Sequence, residues 1–155
     1  MPSAFKILVP SEQLEWRDEH GAYVWGPVWT EVGGFAFPAK GWADFVALVL
    51  SGWSEALTEG SRVRSVCLSF IDGPYHIDVN ANAGQAELTF CKRTPNQVLR
   101  MGSASVAVFD LLCQVLEAGR TVLYTASDSG AVIDEISSLA RETKRLEKLV
   151  EAFES

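Results

Sequence analysis

The chain has 155 residues, 48% hydrophobic and 21% charged, which are values of a folded globular protein rather than a disordered one. Twenty acidic against thirteen basic side chains leave a net charge of −7, which excludes the concentrated basic face that nucleic acid needs. No apolar run reaches the roughly 18 residues of a membrane span, since Asp44 interrupts Ala43–Leu50. Met1-Pro2-Ser3-Ala4-Phe5-Lys6 lacks the basic flank and apolar stretch of a secretion signal. Three cysteines make an odd number for a disulfide framework, and Cys67, Cys91 and Cys113 each sit in an apolar pattern, as reduced, packed thiols in a cytoplasm do. A soluble, cytoplasmic protein with one domain over residues 1–155 is expected.

Phe5–Val9 is a short apolar run ended by Pro10 and predicts a first strand. Leu14–Asp18 and Ala22–Trp25 alternate around the turn cluster Glu19-His20-Gly21, which predicts a β-hairpin with its Trp and Tyr side chains on one face. Val28–Val32 is a further short strand between Gly26-Pro27 and Gly33-Gly34. Then the period changes. Trp42, Phe45, Val46, Val49, Trp53 and Leu57 recur at three- and four-residue steps, predicting a helix that Gly60 ends, with Asp44 in its first turn. Gly52 inside it costs about 1 kcal/mol against alanine and needs a packing reason.

Val63–Ile71, Tyr75–Asn80 and Ala86–Cys91 return to alternation, broken at Asp72-Gly73-Pro74 and Ala81–Gly84. They predict a three-stranded antiparallel meander with one apolar and one polar face. Val106, Phe109, Cys113, Leu116 and Leu123 then mark a helix from about Ser105 to Tyr124, capped by Ser103 or Ser105. Thr125–Gly130 reads as a polar turn in which Asp128 or Ser129 caps a final helix. That helix carries the stripe Val132, Ile136, Leu139, Thr143, Leu146, Val150 and Phe153. The expected fold is α+β: a mostly antiparallel sheet (N-terminal hairpin plus three-stranded meander), one helix between, and a C-terminal helical hairpin packed on the sheet.

The chemistry-bearing residues are few. His20 and His76 fall at a turn and on a solvent face. His76 and Asp78 point the same way from one strand, and Asp72 is close in sequence, so three groups could bind a metal or carry acid–base chemistry. A metal site needs more convergent ligands than this pattern supplies, so neither metal nor cofactor is expected. Cys67 and Cys113 read as core thiols, and Cys91, followed by Lys92-Arg93, as a more open one without a histidine beside it. Ser69, Ser103 and Ser105 lack a nucleophile-elbow pattern, and no phosphate-binding glycine loop is present. No catalytic residue is assigned.

All five tryptophans, Trp16, Trp25, Trp29, Trp42 and Trp53, lie in the first 53 residues. Through Gly60 that region holds three basic and eight acidic side chains. Trp42 and Trp53 fall on the helix stripe and belong in the core. Trp16, Trp25 and Trp29 stand among Glu15, Asp18, Glu19 and Glu31, and either pack beneath the hairpin or anchor a cationic partner ringed by carboxylates.

Two stretches carry a resemblance. Phe37-Pro38-Ala39-Lys40-Gly41-Trp42-Ala43-Asp44-Phe45 runs into a helix with Trp53, and Phe70-Ile71-Asp72-Gly73-Pro74-Tyr75 follows a strand. In this order they resemble small bacterial immunity proteins encoded beside polymorphic or contact-dependent toxins. The resemblance covers about a quarter of the chain and implies a non-enzymatic inhibitor that binds a toxin domain and blocks its active site. A basic nuclease is the expected target, steered in by the acidic N-terminal half. The alternatives are a small enzyme or ligand-binding domain using His76, Asp78 and Cys91, and a homodimer formed through the last two helices.

Overall fold

Strict alternation and a separate helical period predict strands followed by helices, and the computed structural model has that α+β arrangement over residues 4–18, 21–59, 65–130 and 133–154. Its strands are β1 (Lys6–Leu8), β2 (Glu15–Arg17), β3 (Tyr23–Pro27), β4 (Trp29–Val32), β5 (Phe35–Phe37) and β6 (Ala43–Phe45), then β7 (Ser65–Ser69), β8 (Tyr75–Asn82), β9 (Gln85–Arg93) and β10 (Val98–Ala107). The helices are α1 (Val46–Glu59), α2 (Val108–Ser129) and α3 (Asp134–Glu154). The strands form three antiparallel sheets, ordered β1-β4-β5, β2-β3-β6 and β10-β9-β8-β7.

The hairpin is β2 on β3, with Trp16 opposite Val24 and Glu15 opposite Trp25. Because side chains alternate along a strand, Trp16 and Trp25 leave opposite faces, so the ribbon does not gather its Trp and Tyr rings on one side. The expected meander is β7-β8-β9. Its apolar side chains Leu68, Ile77, Val79, Leu88 and Phe90 are buried, and one apolar core runs from Phe5 to Val150. The helix expected from Trp42 begins only at Val46. Ala43, Asp44 and Phe45 pair instead with Pro27, Gly26 and Trp25, so Trp42 precedes a strand and Asp44 lies in one. Helix-like spacing there coincides with a strand that gains ladder hydrogen bonds and ring contacts of Phe45 with Tyr23 and Trp25. Gly52 has no packing reason: it is exposed, with nothing within 4 Å of where a Cβ would stand. Gly60, proposed as the end of that helix, and Val63 and Val132 lie outside the described residues.

A fourth strand, β10, replaces the expected start of the next helix. Ser103 and Ser105 pair with Thr89 and Glu87, so neither caps α2, whose cap position is Ala107. A register shift between Arg100 and Gly102 breaks the period-two pattern there. The expected polar turn Thr125–Gly130 is the last turn of α2. Thr121, Thr125 and Ser129 turn their hydroxyls back onto carbonyls of the preceding turn, which lets a polar stretch stay helical. Gly130, at φ +72°, ends the helix in the left-handed conformation, so Asp128 and Ser129 do not cap α3. The C-terminal helix pair packs on the sheets. Its antiparallel course follows from Arg120 meeting Glu147 and Phe109 meeting Phe153.

The two stretches that carry the resemblance meet in space. Asp44 is fully buried and its carboxylate accepts four hydrogen bonds: the Trp42 indole N–H (3.0 Å) and the backbone N–H groups of Phe45 (2.7 Å), Ile71 and Asp72 (3.1 Å each). Trp42 stands edge-on to Tyr75 at 5.3 Å, and a Cβ on Gly73 would lie 2.8 Å from its ring. The joint locks the β7–β8 corner to β6.

Candidate functional site

The N-terminal residues proposed for partner binding divide between different surfaces. Glu15 and Trp25 share the outer face of the hairpin sheet, as their pairing requires, and Tyr23 and Phe45 join them. Trp25 is half-buried, edge-on to Phe45 at 5.1 Å, with the Arg17 guanidinium 5.3 Å from its ring centre. Arg17 donates from Nε to Glu15 (2.7 Å) and through its terminal nitrogen to the same carboxylate. The Tyr23 hydroxyl, then Glu15, hold that guanidinium firmly in its charged form. Asp18, exposed, follows β2 directly. Beside Trp25 runs an open groove of about 410 Å³ lined by Glu12, Gln13, Leu14, Glu15, Gly26 and Ala43 among others.

Trp16, Trp29 and Glu31 do not share that face. Trp16 packs against the core from the opposite side of the hairpin. Trp29, on β4, is buried, and its indole N–H donates to Glu31 at 3.2 Å. It lines a separate groove of about 330 Å³ between β1 and α2. Trp53 is sealed in the core with its N–H on the Ser69 carbonyl (2.8 Å). Glu19 and His20 lie outside the described residues.

The outer face of the largest sheet brings together what the sequence kept apart. Register sets cross-strand rows Ser69–His76–Cys91–Arg100 and Cys67–Asp78–Thr89–Ser103. His76, expected on a solvent face, is 6% exposed because it stands mid-sheet between neighbours on both sides. Its Nε2 lies 3.6 Å from Asp78, just beyond hydrogen-bond reach. Cys67, expected in the core, is exposed on this face, whereas Cys91, expected to be more open, is buried. Cys113 is half-buried on α2. Burial first, then the Asp78 charge, pushes the Cys91 thiol up, and burial does the same for Cys113, which is the opposite of what a thiolate nucleophile needs. Asp72 does not join the group, its amide being bound to Asp44. Sequence spacing paired His76 with Asp78, but Cys67 enters only through strand register.

Among the described residues, exposed large apolar side chains on the last two helices are Tyr124 and Phe153, at opposite ends of the pair, so they form no single patch. No helix of the described residues is long and apolar enough to cross a membrane. Comparison with known protein families, with curated proteins and with solved structures finds no match to this chain.

Proposed function

We propose that the chain is a non-enzymatic, cytoplasmic, immunity-type protein that neutralises a cognate, cationic toxin domain by covering it with the outer face of the hairpin sheet. The observation that carries this reading is Trp25: a half-exposed indole braced by Phe45 and by the Arg17 guanidinium beside an open groove edged by Glu12 and Glu15. A rigid aromatic ring at the edge of a groove is the form binding hot spots take, since little side-chain entropy remains to be lost. Glu12 and Asp18, both exposed, add negative charge to the hairpin region, whereas Glu15 is partly neutralised by Arg17. Steering then rests on the net charge of −7 as much as on local carboxylates.

The test is co-expression with the toxin domain encoded beside this gene. The chain restores growth of the poisoned host, and Trp25→Ala weakens the purified complex by about 30-fold, the loss of a typical aromatic anchor. Replacing Glu12, Glu15 and Asp18 together by lysine slows association about tenfold at low salt. No rescue, or affinity and rate unchanged in both variants, overturns the proposal.

A further inference from the structure

We infer that Cys67, His76 and Asp78 form a zinc(II) site on the outer face of the largest sheet, with the fourth position open to water. Two adjacent strands supply the three ligands: Cys67 from β7 opposite Asp78, and His76 and Asp78 two apart on β8. Cys67 Sγ, an imidazole nitrogen of His76 and a carboxylate oxygen of Asp78 all lie within 4.8 Å of one another. Cys91 Sγ is 3.8 Å from Asp78 Oδ2, and His76 Nε2 is 3.6 Å from the same oxygen.

In a tetrahedral zinc site, metal–ligand bonds of about 2.0–2.3 Å place ligand atoms about 3.5 Å apart. The His76–Asp78 separation of 3.6 Å already matches, and rotation of the exposed Cys67 side chain closes its sulfur onto the other two. His76 is nine-tenths buried between its strand neighbours, with its Nε2 turned towards Asp78, so its ring is already placed for a cation.

The donor set selects the metal. One sulfur, one imidazole and one carboxylate suit zinc, whereas magnesium and calcium take oxygen ligands alone. One thiolate and one carboxylate balance the two charges of Zn²⁺. Cys91, its sulfur 3.8 Å from Asp78 Oδ2, is a neighbour of the carboxylate rather than a ligand.

The experiment titrates the reduced, chelator-treated full chain with cobalt(II), then displaces cobalt with zinc. One equivalent of cobalt produces a thiolate-to-cobalt charge-transfer band in the wild type and in Cys113→Ala, whose thiol lies away from the site on α2. Cys67→Ser and Asp78→Asn, at positions exposed enough to leave the fold intact by circular dichroism, each lose the band or weaken zinc binding about tenfold or more. Absence of the band in the wild type, or its full retention in either variant, overturns the assignment. The outcome is independent of any toxin, since no partner enters the measurement.

Discussion

Asp44 shows how much one side chain can organise. A carboxylate with no solvent contact survives only when donors surround it, and here an indole and three backbone N–H groups do so. Asp44→Ala leaves those four donors unpartnered and detaches the β7–β8 corner from β6. The expected cost is about 3 kcal/mol or more, read as a lower midpoint in urea unfolding. The D-G-P corner and the W-x-D triplet were legible in the sequence as a pattern. Their meaning was not, because Asp44 was placed in a helix turn where a carboxylate would face the dipole rather than the amides of residues 71 and 72. The residues behind the resemblance therefore build the fold's joint, and the proposed partner surface lies elsewhere on the hairpin.

At the scale of elements, the same substitution has opposite signs in two helices. Gly52 in α1 faces solvent with nothing near its missing Cβ, so Gly52→Ala stabilises by about 1 kcal/mol through helix propensity alone. Gly119 in α2 faces α3, and a Cβ there would lie 2.8 Å from the Thr143 hydroxyl, itself buried without a hydrogen-bond partner among the described residues. Gly119→Ala destabilises by about 1–3 kcal/mol. In the Thr143→Ala background the penalty largely disappears, so a double-mutant cycle in thermal unfolding shows strong coupling. Additive effects would mean that the two helices do not touch there. The helix stripe Leu139, Leu146 and Val150 was readable from its period, and all three residues are buried. β10 was not readable: its Gly102, packed on the Phe35 ring, and the register shift beside it erase the alternation a strand otherwise shows.

At the scale of the molecule, Glu135 ties the first turn of α3 to the hairpin, accepting the Val24 N–H at 3.0 Å across 111 residues of chain. Burial raises its carboxyl above the ordinary 4.5, and the Val24 hydrogen bond opposes this only in part. The folded state thus holds this proton more tightly than the unfolded chain. Its contribution is greatest below the ordinary value and is lost as pH rises through the interval just above 4.5. Glu135→Gln keeps an oxygen for Val24 and has no proton to lose. Its stability relative to the wild type therefore improves between about pH 4 and about pH 7, as paired denaturant titrations would reveal. A relative loss on raising the pH would contradict the placement of Glu135.

The sequence by itself determined the class of this fold, the meander β7-β8-β9, the helical stripes and the acidic balance, because each is written in local period or composition. Tertiary structure decided which tryptophan is presented and which is packed, since two strands one residue out of phase expose opposite faces. It also decided that Cys67, His76 and Asp78 converge. Those neighbours are set by register between two strands, a relation between residues up to 11 positions apart that no run of adjacent side chains records.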